Sequence, residues 1–169
     1  MGNGAWSYTI NRTDNHPAPR ILIPAAPPSA DSPLVIPPMP DGSSVLGVFE
    51  GRTPCDDVVF EFTGIPPHEG CFKVKWQLTL YQDQDTGAPS TYLFRGTGTI
   101  RTGTWTILHG TKNDADEVIY QLRPDDSQQI TSFLSVGDDH LFLLDEELNL
   151  LVGNALFSYT LSRTDKDLK

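Results

Sequence analysis

The chain has 169 residues, 38% of them hydrophobic, which suffices for one ordinary domain with appendages. A formal net charge of −10 argues against nucleic acid or anionic membrane as a partner, since both need clustered Lys and Arg, and the acidic side chains read as a solubilising surface. No run reaches the roughly 18–20 apolar residues of a membrane-spanning helix, and no signal peptide or lipid-attachment cysteine is visible at the start.

Taken in order, Trp6, Tyr8 and Ile10 alternate with Ser7, Thr9 and Asn11, the pattern of a half-buried strand. Residues 15–44 form a Pro-rich linker. Pro17, Pro19, Pro24, Pro27, Pro28, Pro33, Pro37, Pro38 and Pro40 exclude a regular helix or a central strand. Its apolar triplets, Ile21-Leu22-Ile23 and Leu34-Val35-Ile36, are expected to lie against the domain or a neighbouring chain. From residue 45 onward the reading is almost wholly β. Val45–Gly51 predicts a short strand, and Val58, Val59, Phe60 and Phe62 predict another. Cys71–Tyr81 is the clearest, with Phe72, Val74, Trp76, Leu78 and Leu80 on one face and Lys73, Lys75, Gln77 and Thr79 on the other. After a turn at 82–89, strands are predicted at Thr91–Arg95 and Gly98–Arg101, and another is marked by Trp105 and Ile107. Val118, Tyr120 and Leu122 alternate, and Ile130–Val136, Leu141–Asp145 and Leu150–Ser162 complete the set.

Short strands separated by turns, without a helical period, indicate an all-β antiparallel architecture. The expected form is a small up-and-down, lipocalin-like barrel of about eight strands, closed by pairing the first domain strand with the last. The closing stretch, Gly153-Asn154-Ala155-Leu156-Phe157-Ser158-Tyr159-Thr160-Leu161-Ser162-Arg163-Thr164-Asp165, is repeated without a gap at 2–14. Residues 1–14 therefore read as an orphan strand, like the last strand of a preceding copy of the domain, and residues 45–165 as the barrel domain. Such a strand is expected to add to a barrel edge or to promote self-association.

Gly47-Val48-Phe49-Glu50-Gly51-Arg52-Thr53-Pro54-Cys55, Gly103-Thr104-Trp105-Thr106, and Leu144-Asp145 through Gly153 to Tyr159 and Leu161 carry a resemblance. Together these segments resemble the N-terminal domain of the copper-resistance lipoprotein NlpE and its relatives, over about residues 45–163. The family's C-x-x-C pair is not present as such, because Val58 stands where its second cysteine belongs. Cys71 and the strand after it match that cysteine, so Asp56–Gly70 reads as an insertion that widens the pair. Leu148 replaces the family's hairpin glycine, and the turn Asp145–Asn149 is expected to take another geometry. The resemblance implies a bacterial envelope location, periplasmic or attached to the outer membrane, and a link to envelope or copper stress.

Cys55 and Cys71 admit three readings: a disulfide suited to an oxidising compartment, two unpaired small hydrophobes, or, with His68, a soft-metal site for copper. Trp76, Tyr92, Phe94, Trp105 and Tyr120 either line a cavity or fill the barrel core. Asp138-Asp139-His140 places carboxylates beside an imidazole, but its turn context favours a solvated loop. No nucleophile, zinc or phosphate-binding motif is present, so the chain is read as non-enzymatic and without a resident cofactor. Two functions remain: an interaction module with a protein partner, or a carrier of a small hydrophobic ligand. An open interior with co-purifying ligand marks the carrier, and a packed interior the module.

Overall fold

A computed structural model describes residues 36–166, apart from 64, 66, 67, 97 and 111–113. The repeat at 2–14 lies outside the described residues, as does the linker before Ile36. Of the two apolar triplets only Ile36 is described, and it is half exposed.

The strands are β1 (Ser43–Thr53), β2 (Val74–Asp83), β3 (Pro89–Gly96), β4 (Thr99–His109), β5 (Val118–Pro124), β6 (Thr131–Val136), β7 (His140–Leu143) and β8 (Thr160–Arg163). One helix, α1 (Asp57–Thr63), lies between β1 and β2. Every strand pairs antiparallel with its neighbours in sequence, and β8 pairs back onto β1, giving a closed up-and-down barrel of eight strands. Closure gives each of the eight strands a partner on both sides. It is achieved economically, since β8 contributes three residue pairs to β1 and three to β7.

Alternation places the side chains. In β2, Val74, Trp76, Leu78 and Leu80 are buried, while Lys75 is exposed. Facing positions on the other strands, among them Phe49, Tyr92, Phe94, Trp105, Leu122, Phe133, Leu141 and Leu161, complete one continuous core. Bulges between Val45 and Gly47 and between Leu80 and Gln82 bend β1 and β2 around the barrel.

Several expectations are corrected. Val58–Phe62 is part of a helix, not a strand: Val59, Phe62 and Thr63 are its buried residues, at i, i+3 and i+4, which is a helical face. Asp56 caps it by accepting the Val59 amide at 3.2 Å, and the first helical bond runs from Phe60 N to Asp56 O. The segments read as two strands around Gly98–Arg101 and Trp105 are one strand, β4. Gly103 does not break it. A Cβ there would meet the Arg123 carbonyl oxygen at 2.1 Å and the Tyr92 ring at 2.7 Å, so the glycine lets this ring and the neighbouring backbone come close. β2 begins at Val74, leaving Phe72 outside the sheet and 62% exposed. Regular pairing of the last strand spans only Thr160–Arg163. Residues 144–158 instead form an irregular hairpin tied by a Leu144–Leu150 bridge and by Leu143–Tyr159 and Leu151–Leu143 hydrogen bonds. Within it Leu148 takes the left-handed conformation (φ 65°), the one non-glycine residue with positive φ among the described residues. The turn is over-determined by Asp145, whose side chain accepts the Glu147 and Asn149 amides and the Asn149 side chain.

Candidate functional site: the plugged end of the barrel

Up-and-down winding puts the C-terminal end of β1 and the N-terminal end of β2 at the same mouth of the barrel, and α1 spans the connection between them. The helix inserts Phe62, 1% exposed, into the interior. Its ring stacks on Trp76 (centroids 5.0 Å apart, 9° between planes) and meets Phe94 edge-on at 5.4 Å and Phe133 at 6.3 Å. Trp76 meets Phe94 and Phe133 in the same manner and donates its indole N–H to Thr53 at 2.8 Å. Three of the aromatics read as cavity-lining or core-filling, Trp76, Tyr92 and Phe94, thus pack around a fourth ring that the strand reading of 58–62 could not supply. Tyr92 is fully buried, and desolvation pushes its hydroxyl far above the ordinary tyrosine range.

Trp105 and Tyr120 pack against each other at 5.0 Å, and Trp105 donates its indole N–H to the Tyr81 carbonyl at 2.7 Å. Trp105 is buried and Tyr120 partly so. All five residues therefore belong to a packed interior.

The plug is fastened in two ways. Cys55 and Cys71 form a disulfide across the insertion, their Cα atoms 5.8 Å apart. His68 is exposed; its ring lies 3.3 Å from the Glu69 carbonyl and its own carbonyl accepts the Cys71 amide. The two sulfurs are bonded to each other, so they present no thiolates to a metal in this state. Arg101 provides the second fastening. Its guanidinium donates to the carbonyls of Glu61 and Phe62 at the end of α1 and pairs with both carboxylate oxygens of Asp126 (2.7 and 3.3 Å). This pairing holds the Asp126 carboxyl below the usual carboxylate range. Burial pushes the Asp56 carboxyl up, against the amide bond from Val59. Gln129 donates to Glu61 at 2.7 Å, joining the plug to the β5–β6 connection.

Beside the plug runs a groove of about 680 Å³, with Val58, Glu61, Gln129, Ile130, Glu146 and Leu148 in its wall. The charged residues of its lining, Glu61, Asp145, Glu146 and Glu147, are all acidic, and Val58 and Ile130 expose apolar surface.

The opposite mouth is closed by a latch. Arg163 donates to the Leu46 carbonyl at 2.6 Å and to both oxygens of Asp165, at 2.7 and 3.1 Å. Asp165 accepts the Val48 amide, and Thr164 N donates to the Val48 carbonyl. Arg163 holds Asp165 below the ordinary carboxylate range, and Asp165 raises Arg163 in return. Asp139 at the β6–β7 turn pairs with Lys166 at 2.6 Å, which lowers its carboxyl, and the neighbouring His140 ring is 3.4 Å from the Ser162 hydroxyl. The Asp138–His140 motif is thus a turn tied into the latch region. Among the described residues no group of three or more His, Cys, Asp or Glu side chains is placed to hold a metal ion.

Sequence reasoning missed Phe62, Arg101 and the Arg163–Asp165 latch. Asp56 followed by Val59, Phe62 and Thr63 is a cap and a helical stripe, which a search for period 3.6 would have found. Nothing local marks Arg101 or the reach of Arg163 across to β1: the carbonyls they bind at Glu61 and Leu46 lie 40 and 117 residues away, although Asp165 is only two residues from Arg163.

An eight-stranded barrel with a packed, plugged interior is a compact module, and the comparisons place it. The profile of the NlpE N-terminal domain matches residues 62–154, more than half of the chain, and the chain belongs to that family. No curated protein and no solved structure matches it. Membership supports an envelope location, and among the described residues no helix is long and apolar enough to cross a membrane.

Proposed function

We propose that this chain is a non-enzymatic envelope module that works through protein contacts rather than by carrying a ligand. One observation carries this reading: Phe62 occupies the barrel axis among Trp76, Tyr92, Phe94 and Phe133, where a small hydrophobic ligand would have to sit. With the interior filled, recognition falls to the surface. The acidic groove beside the plug, with Val58 and Ile130 exposed, suits a basic segment of a partner protein. A link to envelope or copper stress is part of the same proposal. In it, reduction of the Cys55–Cys71 disulfide by an external thiol would free two sulfur donors of the kind that suit Cu(I). Native mass spectrometry after mild purification tests the central point: the chain is expected at its bare mass, and a stoichiometric small hydrophobic ligand would sink the reading. Cu(I) titration of the reduced chain tests the copper link, with uptake expected only after reduction and lost in Cys71→Ser.

A further inference from the structure

A cavity of about 140 Å³ lies between the proline segment that precedes β1 and the strands β2, β3 and β4. Pro37, Pro38 and Pro40 line it from one side, and Tyr81 and Leu93 from the sheet. Leu93 stands between the inward-facing Tyr92 and Phe94, so alternation turns it away from the core, yet it is only 6% exposed. Two hydroxyls belong to the same lining. Tyr92 Oη and Thr91 Oγ1 are buried, and neither has a hydrogen-bond partner among the described residues. A buried hydroxyl left unpaired is costly. Asp125, whose charge acts on the Tyr92 hydroxyl, completes the polar part of the wall and accepts the Thr102 hydroxyl at 2.7 Å.

Size and lining decide what such a space suits. Its volume equals roughly four or five waters at about 30 Å³ each, and each buried water needs two to four polar partners. Two hydroxyls and one carboxylate already engaged by Thr102 fall short of that demand, and the prolines and Leu93 add nothing to it. A cavity of about 150 Å³ holds a molecule the size of benzene. Flat proline faces and the Tyr81 ring pack well against such a ring. The carboxylate in the wall disfavours an anion, and the apolar walls disfavour a bare cation. The unpaired hydroxyls ask for one oxygen on the ligand.

We propose that this cavity is a binding site for a small uncharged ring compound bearing one hydroxyl, a phenol in class, whose oxygen pairs with Tyr92 Oη and Thr91 Oγ1. The site goes beyond the protein-contact reading and does not compete with it, because the space it uses is not the barrel axis that Phe62 fills. A ligand with about seven heavy atoms binds with a dissociation constant on the order of 1 mM. It therefore leaves on dilution, and the bare mass expected after mild purification is expected with this site as well.

The test is a titration of the full chain with phenol and, separately, with toluene, followed by NMR. Phenol is expected to saturate, with intermolecular NOEs from its ring protons to the side chains of Pro37, Pro38 and Leu93. It should bind about fivefold or more tighter than toluene, the difference one hydrogen bond makes. Tyr92→Phe and Thr91→Val keep the shape of the side chains they replace and remove one hydroxyl each. Tyr92→Phe should weaken phenol by about fivefold and leave toluene within about twofold, and Thr91→Val should act in the same direction. No saturation by about 10 mM phenol, tenfold above the expected constant, overturns the proposal and is the result for a cavity that holds water only. So do NOEs to Phe62 and Phe133 in place of the proline segment, or a phenol affinity unchanged in both variants.

Discussion

The two mouths of this barrel are closed by different physics. At the plugged mouth, closure is a hydrophobic insertion: one aromatic ring enters the core, and a disulfide and a charged clamp keep its helix in place. At the latched mouth nothing is inserted. An arginine on β8 ties the Leu46 carbonyl to both oxygens of Asp165. Burial of apolar surface is strong and indifferent to pH, whereas ion pairs at a rim contribute less and depend on ionisation. The contrast teaches that the barrel's stability is concentrated at one end and its closure specificity at the other.

Removing the plug should have the largest effect. Phe62→Ala is expected to cost about 3–5 kcal/mol, the range for truncating a buried aromatic, read as a lower midpoint in urea. If the loss is below about 1 kcal/mol, within the range of a surface change, the plug is not part of the core. Cys55→Ser with Cys71→Ser should follow, at about 3 kcal/mol in the chain-entropy model. Mass measurement before and after reduction establishes that the bond is present in the starting material. Arg163→Ala comes next, at about 1–3 kcal/mol, because the Leu46 carbonyl and Asp165 lose a charged donor. Arg163→Lys should recover little of this, since an ammonium cannot reproduce the forked contact.

Acid tests the charged fastenings at both mouths. The fold depresses the carboxyls of Asp126 and Asp165, so it binds their ionised forms preferentially. Their contribution is complete above the unfolded value of about 3.8 and is lost as the pH falls through the lower folded values. Denaturation midpoints measured from pH 6 down to pH 2 should therefore fall less steeply in Arg163→Ala and Arg101→Ala than in the parent chain. The smallest effect is a gain. Leu148→Gly should stabilise by up to about 1 kcal/mol by relieving a left-handed leucine, partly offset by the freedom glycine brings to the unfolded chain.

The strands were legible and the fastenings were not, for a physical reason. A strand announces itself through side chains two residues apart, and β2 could be read directly from Val74, Trp76, Leu78 and Leu80. The barrel followed, because many such strands without helices have few ways to bury their faces. Phe62 was visible as an apolar residue but assigned to the wrong periodicity, since Val58, Val59, Phe60 and Phe62 satisfy both templates over so short a span. β4 was read as two segments, and the role of Gly103 within it, making room for Tyr92, exists only in three dimensions. Arg101 and Arg163 resemble solvent-facing strand residues until the chain brings carbonyl groups to them. The Cys55–Cys71 pairing was one of three open readings, because sequence separation alone cannot bring two sulfurs together.

The 5.8 Å between the Cα atoms of Cys55 and Cys71 has a consequence for how such a chain can change. The insertion leaves and re-enters the barrel at almost one point, so its length is decoupled from the register of β1 on β2. The Thr53–Val74 pair therefore does not depend on how many residues separate the two cysteines, although any replacement for residues 56–70 has to return a side chain to the place of Phe62. The connection is in effect a socket, and the helix now in it is one payload among those the frame could carry.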